Sequence, residues 1–125
     1  MAERIVINTG PLIVLSRIEA LDIVGQLPYR FICPDAVRSE LDKGEAAVIH
    51  LAIEQKVRIV CIDEWKGRRA ALASGLKVTG VLGLLARAKS VGIIQEMTPF
   101  VEKALRSGVR YHPDLVRRVL EMVRE

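Results

Sequence analysis

Arg58-Ile59-Val60-Cys61-Ile62-Asp63 holds four consecutive apolar residues, three of them β-branched, and closes on a carboxylate. A short unbroken run of this kind reads as a strand buried on both faces, the signature of a parallel sheet rather than of an alternating, half-exposed one. Ile5-Val6-Ile7 repeats the pattern near the N-terminus and closes on Asn8. Working outward, Arg30–Cys33 is a strand halted by Pro34, Lys77–Thr79 is a fourth strand, and Val109-Arg110-Tyr111 has the look of a short edge strand.

Helical patterns lie between these strands. Pro11 suits a first turn, with Leu12, Leu15, Ile18 and Leu21 at helical spacing up to Gly25 and Pro28. Residues 35–41 read as a short helix broken by Asp42-Lys43-Gly44. Glu45–Gln55 follows, apolar nearly all round, which predicts a buried helix and a core position for His50. Arg68–Ser74, Val81–Val91, the stretch from Thr98-Pro99 to Gly108, and an amphipathic Pro113–Arg124 complete the series. Strands alternating with helices predict an α/β fold with a short parallel sheet of four to five strands, covered by helices in a three-layer α/β/α sandwich.

The 125 residues suit one domain, 1–125, and half of them are hydrophobic. A charged fraction of 27% is ordinary and rules out disorder as the default, and no window stays uncharged long enough to cross a membrane. The net charge of +4 suits an anionic partner without specifying one. Cys33 and Cys61 both lie in apolar runs and make no zinc-type spacing, so both read as buried free thiols of a reducing, cytoplasmic protein.

Ligands of open parallel sheets bind beyond the carboxyl ends of the strands. Asn8, Thr9, Asp63, Glu64 and Thr79 all fall at that edge, with Glu40 and Glu45 on neighbouring helices. Carboxylates gathered in one place raise each other's pKa, and a hard divalent cation such as Mg²⁺ or Mn²⁺ relieves that repulsion. Each residue also has a plainer reading: Asp63, Glu64 and Glu45 as first-turn acids, Glu40 as a solvated helix residue, and Arg68 and Arg69 as solvent-facing charges. Trp65 is exposed by context and is a candidate for stacking on a base.

The order of these segments resembles the PIN-domain family, including its VapC-like ribonucleases and its branch of predicted nucleic-acid-binding proteins. The resemblance rests on Ile7-Asn8-Thr9-Gly10-Pro11-Leu12-Ile13, Pro34-Asp35-Ala36-Val37-Arg38-Ser39-Glu40 and Gly44-Glu45-Ala46-Ala47-Val48. It is carried most specifically by Ile62–Ala71 and Val78–Leu85. The resemblance implies a Mg²⁺- or Mn²⁺-dependent endoribonuclease acting on RNA, with many relatives being homodimeric toxins paired with an antitoxin protein. Carried over by position, Asn8, Glu45 and Asp63 match metal-site residues, with Asp63, Glu45 and Glu40 as the catalytic acids. Thr9, Glu64 and Thr79 are supporting neighbours, and Lys66, Arg68 and Arg69 are the basic residues offered to nucleic acid.

Two departures set this chain apart. Asn8, the only asparagine in the sequence, stands where the family usually has aspartate. Two unit charges about 4 Å apart interact by roughly 4 kcal/mol at an effective dielectric near 20, so a neutral amide there weakens a divalent site. Only Leu41-Asp42-Lys43-Gly44 separates Glu40 from Glu45, where relatives carry a longer helical insert. The alternative to a ribonuclease is therefore a non-catalytic RNA- or antitoxin-binding module that kept the fold.

Overall fold

The computed structural model describes residues 3–34 and 41–125, the side chains of residues 41–46 excepted. Its elements are β1(Glu3–Ile7), α1(Thr9–Arg17), α2(Leu21–Gly25), β2(Tyr29–Ile32), α3(Leu41–Glu54), β3(Ile59–Cys61), α4(Trp65–Ala73), β4(Lys77–Thr79), α5(Val81–Ser90), α6(Thr98–Arg106) and α7(Pro113–Met122). The four strands form one parallel sheet in the order β2-β1-β3-β4. The α/β class and the parallel sheet expected from the apolar strand runs are what the structure shows. The chain divides into two compact units, one of residues 1–13 and 28–80, the other of residues 14–27 and 81–125.

The first unit holds the whole sheet. β1 pairs with β3 in the register Ile7 opposite Cys61, and β3 with β4 in the register Cys61 opposite Thr79. Side chains alternate across a strand, and Val6, Val60 and Ile62 join Val48 and Ala52 of α3, Val57 and Ala71 of α4 in one buried cluster. Each fully buried Val or Ile contributes about 1.5–3 kcal/mol relative to exposure, which makes this cluster the anchor of α3.

That anchoring corrects two expectations. Asp42-Lys43-Gly44 does not break the chain, because α3 runs from Leu41 through it. A helix-interior glycine costs about 1 kcal/mol, less than the burial gained by Val48 and Ala52 one and two turns on. Nor is α3 buried all round. Ile53 is exposed, and His50 is a surface residue whose Nε2 lies 3.7 Å from Glu54 one turn later, not a core histidine. The short helix expected over residues 35–41 lies, apart from Leu41, outside the described residues.

In the second unit α2 packs with α5, and Leu15, Ile18, Val24, Leu84, Leu85, Met97 and Val101 are buried. Its helix ends depart most from the sequence pattern. The single helix expected from Pro11 to Gly25 is two, because Glu19 takes a left-handed conformation (φ 57°) and the N–H of Ala20 turns back to Leu15 O at 2.8 Å. The edge strand expected at Val109–Tyr111 is absent, since Val109 donates its N–H to Ala104 O (3.0 Å) and closes α6. Of the two thiols, Cys61 is buried as expected, but Cys33 is exposed.

Thr98-Pro99 does open α6, yet the group that caps it comes from far along the chain. The Glu125 carboxylate accepts from the N–H groups of Met97 (2.7 Å) and Thr98 (2.9 Å), from Thr98 Oγ1 (2.6 Å) and from Lys89 Nζ (2.8 Å). Lys89 Nζ also donates to Val123 O, which fixes the end of α7. Burial by itself pushes the Glu125 carboxyl up, but these donors, Lys89 foremost, bring it down to about 2. A folded-state pKa below the unfolded value gives stability that is present above about pH 4.5 and lost as pH falls toward 2. Glu125→Ala is therefore expected to lower the melting temperature by about 4 °C at pH 7, the equivalent of a lost helix cap. The gap between variant and parent should close on acidification to pH 2, as followed by circular dichroism.

Candidate functional site

The strand order places a switch point between β1 and β3. From β1 the chain moves outward to β2 on one side, then returns to lay β3 and β4 on the other. Connections leaving neighbouring strands in opposite directions leave a crevice at their carboxyl ends, where ligands of open α/β sheets bind. Asn8 and Asp63 follow β1 and β3 at that crevice. Neither position is accidental, because the N–H of Asn8 donates to Cys61 O (3.0 Å) and extends the ladder one residue past the strand.

Asn8 is the one polar side chain that is buried among the described residues, with 8% of its surface exposed. Its Oδ1 accepts from the N–H of Thr9 at 2.9 Å as the chain enters α1. That holds the amide with its oxygen toward the start of the helix. An amide oxygen has two lone pairs and can accept more than one hydrogen bond or ligate a cation.

Asp63 is half-buried, and three neighbours define its surroundings. Arg68, one turn into α4, donates from Nη1 to the carbonyl of Ile62 at 2.9 Å. A Cβ added to Gly80 would collide with Asp63 Oδ1 and lie 3.1 Å from Arg68 Nη1, so carboxylate and guanidinium both crowd this Cα. Cys61 reports the same proximity. Burial pushes its thiol well up, the negative charge of Asp63 adds to the rise, and Arg68 opposes it. The buried Cys61 thiol is thus held in its neutral form, and the thiolate is the reactive one.

Of the remaining expected residues, Thr9 and Thr79 are half-buried at the same edge, with Thr79 O accepting from the N–H of Ile62 at 3.0 Å. Glu64 is exposed and sits at the N-cap position of α4 without a side-chain cap bond. Lys66 and Arg69 are exposed on α4, while Arg68 is turned inward. Glu45 is the fifth residue of α3 rather than its first, and its side chain lies outside the described residues, as does the whole of Glu40. Among the described residues, no three His, Cys, Asp or Glu side chains gather as a metal cluster. What they do supply is a pair of hard oxygen donors, the Asn8 amide and the Asp63 carboxylate, of the type Mg²⁺ and Mn²⁺ prefer.

Two residues of this site escape a reading by motif chemistry. Gly80 bears no functional group and matters because its missing side chain admits the carboxylate. Its place between a strand and a helix, in Thr79-Gly80-Val81, was the only signal. Cys61 carried no signal beyond its apolar run.

A four-stranded parallel sheet whose order reverses between β1 and β3, with Asn8 and Asp63 following those strands, defines an open α/β fold. A family model described as the PIN domain matches residues 36–125, and the chain belongs to the PIN-domain family. No curated protein and no solved structure matches it. The nuclease-like fold and the association with nucleic acid follow from the family. The match begins after Asn8, so the opening residue of the site rests on β1 register alone.

The crowding at residue 80 has a measurable consequence. Gly80→Ala should cost about 1–3 kcal/mol in urea unfolding, as overpacking does. In an Asp63→Ala background, where the colliding carboxylate is gone, the same change should cost less than half as much. An additive double-mutant cycle would show that the two residues do not share the site.

Proposed function

We propose that this chain is a PIN-type, divalent-metal-dependent endoribonuclease weakened at its metal site. The observation that carries the reading is the placement of Asn8 and Asp63 at the carboxyl ends of adjacent strands across the switch point. Asn8, Asp63 and Glu45 would hold Mg²⁺ or Mn²⁺ there. A bound ion of that kind polarises a phosphate oxygen and makes water a nucleophile near neutral pH. Asp63 and Glu45 are the acids that orient or deprotonate the attacking water, with Glu40 as a further acid. Asn8 contributes an oriented oxygen without charge. Arg68 keeps the Asp63 backbone in place through Ile62 O, and Lys66 and Arg69 lie exposed nearby to meet the RNA backbone. A homodimeric, toxin-type enzyme of the cytoplasm, restrained by an antitoxin protein, is the finer form of this reading and is supported by resemblance only.

A second reading is favoured by the charge at the site. Arg68 already places a fixed cation beside Asp63, and Asn8 removes one negative charge, so the protein can hold RNA without cutting it. The two readings separate on one assay. Single-stranded and structured RNA are incubated with the protein and Mn²⁺, alongside Asp63→Ala and Asn8→Asp. The ribonuclease reading expects cleavage that Asp63→Ala abolishes and that Asn8→Asp raises at least tenfold, with a matching gain in Mn²⁺ affinity by calorimetry. RNA binding that weakens steeply with salt but stays without cleavage in Asn8→Asp belongs to the second reading.

A further inference from the structure

Trp65, the only tryptophan of the chain, is the first residue of α4 and keeps 71% of its surface exposed. Tryptophan carries a large apolar ring and is highly buried on average, so an open ring at a site's edge calls for an explanation. The ring is not loose. One turn on, the Arg69 guanidinium carbon sits 5.9 Å from its centroid, a cation–π contact, while most of the residue's surface stays open to solvent. Lys66 and Arg69 are exposed basic residues beside Trp65 on α4, and Glu64 is an exposed acid just before it. Trp65 lies two residues from Asp63, within about 7 Å along the chain at full extension.

An aromatic face steadied by arginine, bordered by a second cation and placed next to a phosphate-handling edge has the parts of a single-strand stacking platform. We propose that Trp65 stacks on an unpaired base of single-stranded RNA adjacent to the phosphate held at the Asn8–Asp63 edge. The placement of the phosphate rests on the ribonuclease or RNA-binding reading above; the stacking surface itself does not. A paired base is already stacked on its neighbours and cannot offer its face, so the platform selects single strands over duplex.

The sole tryptophan makes the test direct. The whole chain in metal-free buffer, where no cleavage occurs, is titrated with oligouridylate or oligoadenylate while Trp65 fluorescence is followed. Inorganic polyphosphate serves as a polyanion without bases, and duplex RNA as a paired control. Single strands should quench the emission, whereas polyphosphate and duplex should bind with little quenching. Trp65→Leu should weaken single-strand affinity about tenfold, with Trp65→Phe retaining most of it and polyphosphate affinity unchanged in both. Trp65 is exposed, so both variants should melt with the parent. Equal quenching by polyphosphate, or unchanged single-strand affinity in Trp65→Leu, overturns the proposal. Quenching without any cleavage in the Mn²⁺ assay removes only the ribonuclease reading, and cleavage without quenching removes only this one.

Discussion

Everything at the site depends on the pairing of β1 with β3. The two strands run parallel with Ile7 opposite Cys61, and one further hydrogen bond, from Asn8 N–H to Cys61 O, carries the ladder beyond the last strand residue. Because the chain leaves β1 toward β2 and later returns to β3 on the opposite side, the strand order reverses between these two strands at their carboxyl ends. A slip of one residue would turn Val6, Val60 and Ile62 away from α3 and α4 and lose the buried cluster. The hydrophobic core therefore sets the register, and the register sets which polar residues face the crevice.

Charge at the ends of these strands is close to balanced among the described residues. Asn8 is buried and neutral, and Asp63 has a guanidinium at hand in Arg68, with both groups drawn against the Cα of Gly80. The neighbouring Cys61 thiol responds to the two charges in opposite directions. The described residues thus give an arrangement nearly neutral without an ion, in which the carboxylate of Asp63 is the principal negative charge.

Helix termination shows how far local sequence reaches. Six helices end alike, with one residue at positive φ and the next N–H bonded to the carbonyl five residues back, as at Leu76 to Ala71 and Glu125 to Leu120. Where glycine occupies the left-handed position, at Gly75, Gly92 and Gly108, the sequence announces the stop. Glu19, Lys56 and Arg124 do the same without announcing it, because a non-glycine residue gives no local sign of a left-handed backbone. The division of α1 from α2 was missed for that reason. The cap of α6 was missed because Glu125 reaches it from 27 residues away.

By itself the sequence determined the class and the edge. Continuous β-branched runs closing on Asn8 and Asp63 require strands buried on both faces, and hydrophobic burial is a property of the run that no distant contact is needed to recognise. The resemblance in Asp63–Ala71 and Thr79–Leu85 pointed to the family that the match over residues 36–125 shows. Only the tertiary structure decided that Arg68 turns inward to Ile62 O, that His50 faces solvent, and that Gly80 makes room for a carboxylate seventeen residues earlier. These are facts of direction and distance between segments. They follow from register and packing, which fix where a side chain points only after the strands have paired.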